Sequence, residues 1–563
     1  MLSRLARFAI ATSAVLSLLA APPPPAAPPL AGILESELAR NFALLSKQSE
    51  PPVYYIAYSV TAEEAGTISA SLGAIVTDTS SRQRVGECSL RVGSPAFDNF
   101  HVVDGDRPLF TSFTSLPDED DPANLRLAFW RLTDNSQRAA VQRFQQVQTA
   151  VKNKEAPARA TADFSPEPPH TAFSVVPLLK VNAEEWKARL RKLSLLSRDA
   201  PAVISSTLTL SWRREMKTLV TSEGTRLQHG RTFAALNIVA HGKASDGEDL
   251  VALESFNAEN PARLPKDDVL RAAMQRAIDS IEKLRNAPQA DPFVGPAILS
   301  GRAAGVFFHE IFGHRIEGHR QSDLQEGQTF SNSIGKSVLP DFLSVIFDPT
   351  LHNTAGADLN GWYSFDDEGV PARRVILVEN GILKTFLLSR TPAPGFAASN
   401  GHGRKQPGYE ALSRQSNLLV IPARTVKETQ LRRMLIDEAK RQGKTYGLYF
   451  DVVTGGYTET RRDSLQSFTV IPLMVYRVYA DGRPDELVRG ADIVGTPLAS
   501  FARITAVSDT PEVFNGYCGA ESGQVPVSAV SPALLVTEIE IQRKHNTGDR
   551  PPLLPRPLPG DLP

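Results

Sequence analysis

From residue 340 to residue 542 the chain reads as strand and turn almost without interruption, through RRVILVENGILKTFLLS, SNLLVIPA, GLYFDVVTGGY, SFTVIPLMVYRVYADGRP and VTEIEIQ. Short runs of β-branched and aromatic residues broken by Asn-Gly and Asp-Gly dipeptides predict hairpins, because those dipeptides tolerate positive φ. Upstream the pattern changes. Residues 267–286 place Leu270, Met274, Ile278, Ile281 and Leu284 on one helical stripe, residues 183–195 form a second helix behind an Asn182 cap, and residues 134–152 form a third, capped by Asp134 or Asn135. VYYIAYSV (53–60) and RQRVGECSLRVGS (82–94) read as strands, and SEG at 222–224 as a hairpin turn. A helix-containing half followed by an antiparallel half defines an α+β chain, with a mixed N-terminal domain and a largely antiparallel β C-terminal domain.

At 563 residues the chain is long enough for two or three domains. The Pro-rich stretch KEAPARATADFSPEPPH sets a boundary near 160. The expected units are an α+β N-terminal extension (22–160), a second domain (161–335), a β-rich domain (336–545) and a Pro-rich, unfolded tail (546–563). MLSRLAR followed by the apolar FAIATSAVLSLLAA has the order of a secretory signal peptide, residues 1–21, and predicts a periplasmic or secreted protein. An uncleaved N-terminal membrane anchor is the alternative reading. With 61 basic and 62 acidic side chains and no dense basic run, nucleic-acid binding is not expected.

One stretch carries chemistry. GVFFHEIFGHRIEGH (305–319) ends an apolar run in His309 and Glu310, with His314 and His319 at steps of five. Five residues turn an ideal α-helix by about 140°, so His309 and His314 can act as a ligand pair on one metal only if the helix is distorted. A π-bulge or a break between 310 and 314, where Gly313 weakens the helix, provides that distortion. A zinc site then follows in kind: two imidazoles hold the metal, and Glu310 beside them takes a proton from the attacking water. A third ligand is needed, and His319 and Cys518, within NGYCGAESGQVPV, are the two candidates. The bland readings are a chance HExxxH pattern and a Cys88–Cys518 disulfide. GKS at 335–337 is no phosphate loop, since Phe330 stands where the upstream glycine belongs. Ser333 and Lys336 match SxxK by chance. The acidic run at 118–121 reads as a solvated loop, and DDEG at 366–369 as a turn.

GPAILSGRAAGVFFHEIFGHRIEGH, DDEGVP, SRQSNLLV, GLYFDVVTGGY and GYCGAESGQVPV occur in that order. Together they resemble the TldD/PmbA metallopeptidase family, in its metal-bearing TldD-like branch, over roughly residues 175 to 545. The resemblance implies His309, His314 and Cys518 as ligands of Zn²⁺ and Glu310 as catalytic base. It also implies paired subunits, as a homodimer or a heterodimer with a relative, and extended peptides as substrates taken up by strand addition. On that reading Arg414, Asn417, Gly455 and Gly456 are candidates for binding the peptide, and Glu317 and His319 for supporting the ligands. The leader, the N-terminal extension and the tail depart from the family pattern. Two rival functions are a noncatalytic subunit that binds peptides or a partner, and a zinc amide hydrolase acting on cell-wall peptides.

Overall fold

The computed structural model describes residues 27–153, 161–463, 467–495 and 501–544. The expected signal peptide and the Pro-rich tail lie outside the described residues. The architecture is α+β, as the sequence pattern predicts, and is organised around two large sheets.

The first sheet has eight strands. Val53–Ser71 and Ala74–Ser94 form a hairpin closed at Leu72 and Gly73, both at positive φ, which suits the twist of a two-residue turn. Ser205–Thr221 and Arg226–Lys243 form a second hairpin, and Ala57 to Ala70 of the first lie antiparallel to Thr221 to Leu208 of the second. Residues on both sides of position 160 therefore share one hydrogen-bonded sheet. The expected boundary near 160 thus falls between strands of a single sheet.

Helices cover this sheet at two places. Pro29–Gln48 and Pro122–Lys152 bury Leu34, Leu38, Phe129 and Phe144 against Ile56, Tyr58 and Leu90. Ala183–Ser194 and Asp267–Asn286 bury Trp186, Leu190 and the whole expected Leu270–Leu284 stripe against Leu210, Leu236 and Ile238. Asn182 caps its helix as predicted, accepting from the Glu185 N–H. The helix expected from residue 134 begins instead at Pro122, because Asp121 accepts the Asn124 N–H at 2.8 Å. A proline at the first helical position behind an aspartate cap is a strong start signal, and reading 118–121 as a solvated loop concealed it.

The second sheet has eleven strands. Phe293–Leu299 lies between Tyr446–Thr458, to which it is parallel, and Gly523–Arg543, to which it is antiparallel. The strand that feeds the HExxxH segment is thus internal to the C-terminal sheet, so this unit begins near residue 293 rather than at 336. The largely antiparallel stretch 340–542 also holds one helix among the described residues. Glu428–Arg441 is a helix whose Leu431, Leu435 and Ala439 seat on Ile298, Val478 and Leu535. Met434 and Ile436 flank that apolar stripe, half-buried against the same cluster. Cys88 and Cys518 are both buried and free, so no disulfide joins them.

Candidate metal centre

Ser300 starts the site helix, Gly301–Ile311, by accepting the Ala303 N–H at 3.2 Å while donating to the Asp451 carbonyl at 2.7 Å. Ala303, Ala304, Phe307, Phe308 and Ile311 are fully buried, which fixes the rotation of the helix and places His309 and Glu310 on its last turn. The helix then stops. Phe312 takes φ −102° and ψ −52°, and Gly313–Ile316 continue as a 3₁₀ turn. The distortion anticipated between 310 and 314 is a break into tighter winding.

Neighbours enforce the break. A side chain at Gly313 would meet Gln415 Oε1 at 2.0 Å, and Gln415 Nε2 donates to the His309 carbonyl at 3.3 Å. Arg315 turns back and donates to the Glu310 and Ile311 carbonyls at 3.1 and 3.2 Å, serving acceptors that a helix end leaves without partners. The imidazoles of His309 and His314 consequently stand 5.1 Å apart between ring centroids, at 81°.

Cys518 arrives from the other end of the sequence, on the strand Ile504–Ala520. Its Sγ lies 3.4 Å from His314 Nε2, and the donor atoms of His309, His314 and Cys518 all fall within 4.8 Å of one another. Tetrahedral zinc with Zn–N near 2.0 Å and Zn–S near 2.3 Å sets its ligands roughly 3.5 Å apart, so this trio fits the ion with a small closure. Burial would push the Cys518 thiol up, but His314, His309 and Arg414 together hold it well below the ordinary thiol range. Burial pushes His314 down, whereas Cys518 and Glu317 outweigh it and raise it well above the usual imidazole value. A thiolate facing two imidazoles is a donor set suited to a divalent cation. Glu310, also buried, holds its Oε2 3.9 Å from His314 Nε2.

Glu317 is completely buried. Its Oε2 lies 3.4 Å from His314 Nδ1 and accepts from Arg320 Nε at 2.9 Å, while Oε1 is 3.4 Å from Arg414 Nε. Burial works against its charge, but His314, Arg320 and Arg414 hold the carboxyl far below its normal range. His319 is not part of the ligand cluster. It is buried, its nearest carboxylate is Glu521 at 3.9 Å, and burial with Arg320 and Arg107 pushes it down to about 3.

Arg414 and Asn417, expected to bind peptide, are corrected. Both are fully buried and bind this chain's own backbone. Arg414 donates to the Cys518 carbonyl at 2.6 Å and the Gly523 carbonyl at 2.9 Å, and so secures the hairpin that carries the thiolate. Asn417 donates to the Asp348 and Leu351 carbonyls at 3.0 and 2.8 Å. Gly455 and Gly456 do line space beside the centre. A cavity of about 260 Å³ holds His309, Glu310, Gly455, Gly456 and Gly516 on its walls, and a second of about 320 Å³ holds His309, Glu310, His314, Tyr457 and Cys518. A side chain at Gly456 would meet the Thr469 carbonyl at 2.7 Å and Glu310 Cγ at 2.8 Å, so glycine there permits the close approach of Glu310.

Arg320 is the residue the sequence reading missed. It donates to Glu317, Glu326 and Thr460 and forms a bidentate pair with Glu521 at 2.9 and 2.8 Å, tying the histidine segment to the tip of the Cys518 hairpin. Its spacing of three from Glu317 was the available signal.

Residues 294–543 match the PmbA/TldA metallopeptidase C-terminal domain. Metalloprotease MJ0996 of Methanocaldococcus jannaschii is 28% identical over 263 residues, 46% of this chain and 53% of that protein. A metalloprotease of Archaeoglobus fulgidus is 26% identical over 358 residues, 63% of this chain and 77% of that protein. A zinc metalloprotease TldD homolog of Saccharolobus solfataricus is 24% identical over 277 residues, 49% of this chain and 56% of that protein. The match thus spans about half the length of the first and third of these relatives. Among solved structures, TldE from Thermococcus kodakarensis shares the fold with a TM-score of 0.61 at 14% identity, covering 90% of this chain and 99% of that one. Residues 294–543 thus carry the C-terminal domain of the PmbA/TldA metallopeptidases, and the fold of the chain as a whole is that of TldE.

Proposed function

We propose that this protein is a zinc peptidase that hydrolyses extended, unstructured peptides. The observation that carries the reading is the convergence of His309, His314 and Cys518 within 4.8 Å, with the Glu310 carboxylate beside them in the same cleft. Zinc, when bound, supplies Lewis acidity toward a water and a peptide carbonyl. Glu310 accepts the proton of the attacking water and returns it to the departing amine. The two cavities on either side of Glu310 lie between the strands Tyr446–Thr458 and Ile504–Ala520. Beyond Phe450 the first of these pairs only with Phe468–Tyr479, and from Pro511 onward the second pairs only with Gly523–Arg543, among the described residues. Free strand edges at a cleft support uptake of substrate as an added strand.

Glu310 weighs against the noncatalytic subunit, which has no use for a base at the metal. Amide bonds of cell-wall peptides remain within the same chemistry, and the leader sequence supports an exported enzyme. The likeness to TldE supports assembly with a second family member or a second copy. The test is Glu310→Gln: zinc content and melting stay near those of the wild type while peptide turnover falls about 10²- to 10⁴-fold. Unchanged turnover removes Glu310 from the chemistry, and cell fractionation tests export separately.

A further inference from the structure

Behind Tyr517 lies a cavity of about 660 Å³, between the first sheet and the loops of the second unit. Its walls carry five cations, and three of them are paired: Arg213 with Glu63 at 3.2 Å, Lys217 with Asp367 at 2.5 Å and Lys405 with Glu87 at 2.8 Å. Arg231 and Arg404 are different. They are 9% and 5% exposed, and neither forms an ion pair with a carboxylate among the described residues.

Arg231 donates from its two terminal nitrogens to the backbone and side-chain oxygens of Asn360. Arg404 donates from Nη1 to the Gln415 and Pro526 carbonyls. Nε and Nη2 of Arg404 and Nε of Arg231 have no hydrogen-bond partner among the described residues. Of the remaining acids on the wall, Glu215 is 3.4 Å from Lys217. Asp366 accepts only the main-chain N–H groups of Glu368, Val370 and Gly403, and burial raises its carboxyl well above the usual range, which favours the neutral form. Buried guanidiniums without an anion are costly, and their planar array of donors matches a carboxylate.

The cavity adjoins those of the metal centre across one shared wall residue. Tyr517, next to Cys518, lines this cavity and both of those beside Glu310. Asn360, which holds Arg231, also donates to the Gly516 carbonyl at 2.9 Å. A strand advances about 3.3 Å per residue, so a peptide lying past Glu310 reaches this space within a few residues.

We propose that the cavity is a substrate subsite in which Arg231 and Arg404 bind a carboxylate of the peptide. The inference rests on the peptidase reading for the word substrate, but not for the binding itself. The carboxylate has two sources, the peptide's C-terminus or an Asp or Glu side chain, and the recognising chemistry is the same.

The experiment measures equilibrium binding of short random-sequence peptide pools to the zinc-loaded Glu310→Gln protein, which does not turn them over. Pools are matched with free or amidated C-termini, and with Asp and Glu present or replaced by Asn and Gln. Loss of the relevant carboxylate is expected to weaken binding about tenfold or more, and which replacement does so identifies the source. Equal binding by pools with no carboxylate at all overturns the proposal without any protein variant being needed. Arg231→Gln is expected to abolish the discrimination while melting close to the parent protein, and discrimination surviving in that folded variant also overturns it. If the wild-type enzyme cleaves no pool while its Glu310→Gln form still discriminates, the peptidase reading fails and the carboxylate subsite stands.

Discussion

The Glu317 carboxylate lies 3.4 Å from Nδ1 of His314, on the opposite side of the ring from the nitrogen that approaches Cys518. A carboxylate in that position fixes which imidazole nitrogen is free to bind metal, and it makes that nitrogen more basic. The same group neutralises two buried guanidiniums, those of Arg320 and Arg414.

Glu317→Ala removes this anion from between three cationic groups. Breaking a buried ion pair by deleting one partner costs about 3–5 kcal/mol, and loss of a ligand-orienting carboxylate weakens metal binding about 10- to 100-fold. Denaturant unfolding and zinc competition titration measure the two effects. A variant with wild-type stability and affinity would show that Arg320 and Arg414 are balanced elsewhere.

Cys518→Ser keeps the size of the side chain and removes the thiolate. The wild type is expected to retain about one zinc per chain through dialysis and to lose melting temperature when a chelator strips it. The serine variant is expected to lose the metal and to melt at the same temperature with and without chelator. Retained zinc in that variant would point to a different third ligand.

Gly456→Ala places a methyl group against the Thr469 carbonyl and Glu310 Cγ, at 2.7 and 2.8 Å before relaxation. The strand or the carboxylate has to move, and a displacement near 1 Å at a reacting group costs up to about 100-fold in rate. The expected result is a fall in kcat/KM with zinc content intact. Full activity would mean that Glu310 tolerates displacement.

His229 and His402 are buried in neutral form. Burial, then Lys217, pushes His229 down to about 4, and burial, with Arg404 adding to it, pushes His402 down to about 3. Near pH 6.5 and below, the unfolded chain binds protons that the folded chain refuses. Their contribution to stability is therefore present above pH 6.5 and is lost as pH falls toward 4, with a slope approaching about 1.4 kcal/mol per pH unit for each histidine. His402→Gln should reduce the measured slope between pH 6 and 4 by that amount, and an unaltered slope would mean that His402 is already charged in the fold.

Local signals in the sequence located the elements better than they located the units. Leu270 to Leu284, Asn182, Ser300 and Asn380-Gly381 each behave as their residue types dictate, because stripe, cap and turn are set within a few positions. The pairing of Val53–Ser71 with Ser205–Thr221 crosses more than a hundred residues, and no local pattern encodes it. The site divides in the same way. Gly313 marks the break in the helix from sequence, whereas Arg414 and Asn417 look like exposed recognition residues until the fold buries them against Cys518 and Asp348. Arg231 and Arg404 carry no sequence signal, since their lack of a carboxylate partner exists only once both units have folded.

Cys518 follows His314 by 204 residues, so the hairpin that brings it to the histidines is synthesised well after the helix that carries His309. A nascent chain therefore carries both imidazoles before their third donor exists, and acquires that donor only when Ile504–Ala520 docks and Arg320 clasps Glu521. The three-donor cluster is in this way completed only by closure of the C-terminal sheet, so occupancy by a metal would report on folding of the entire unit.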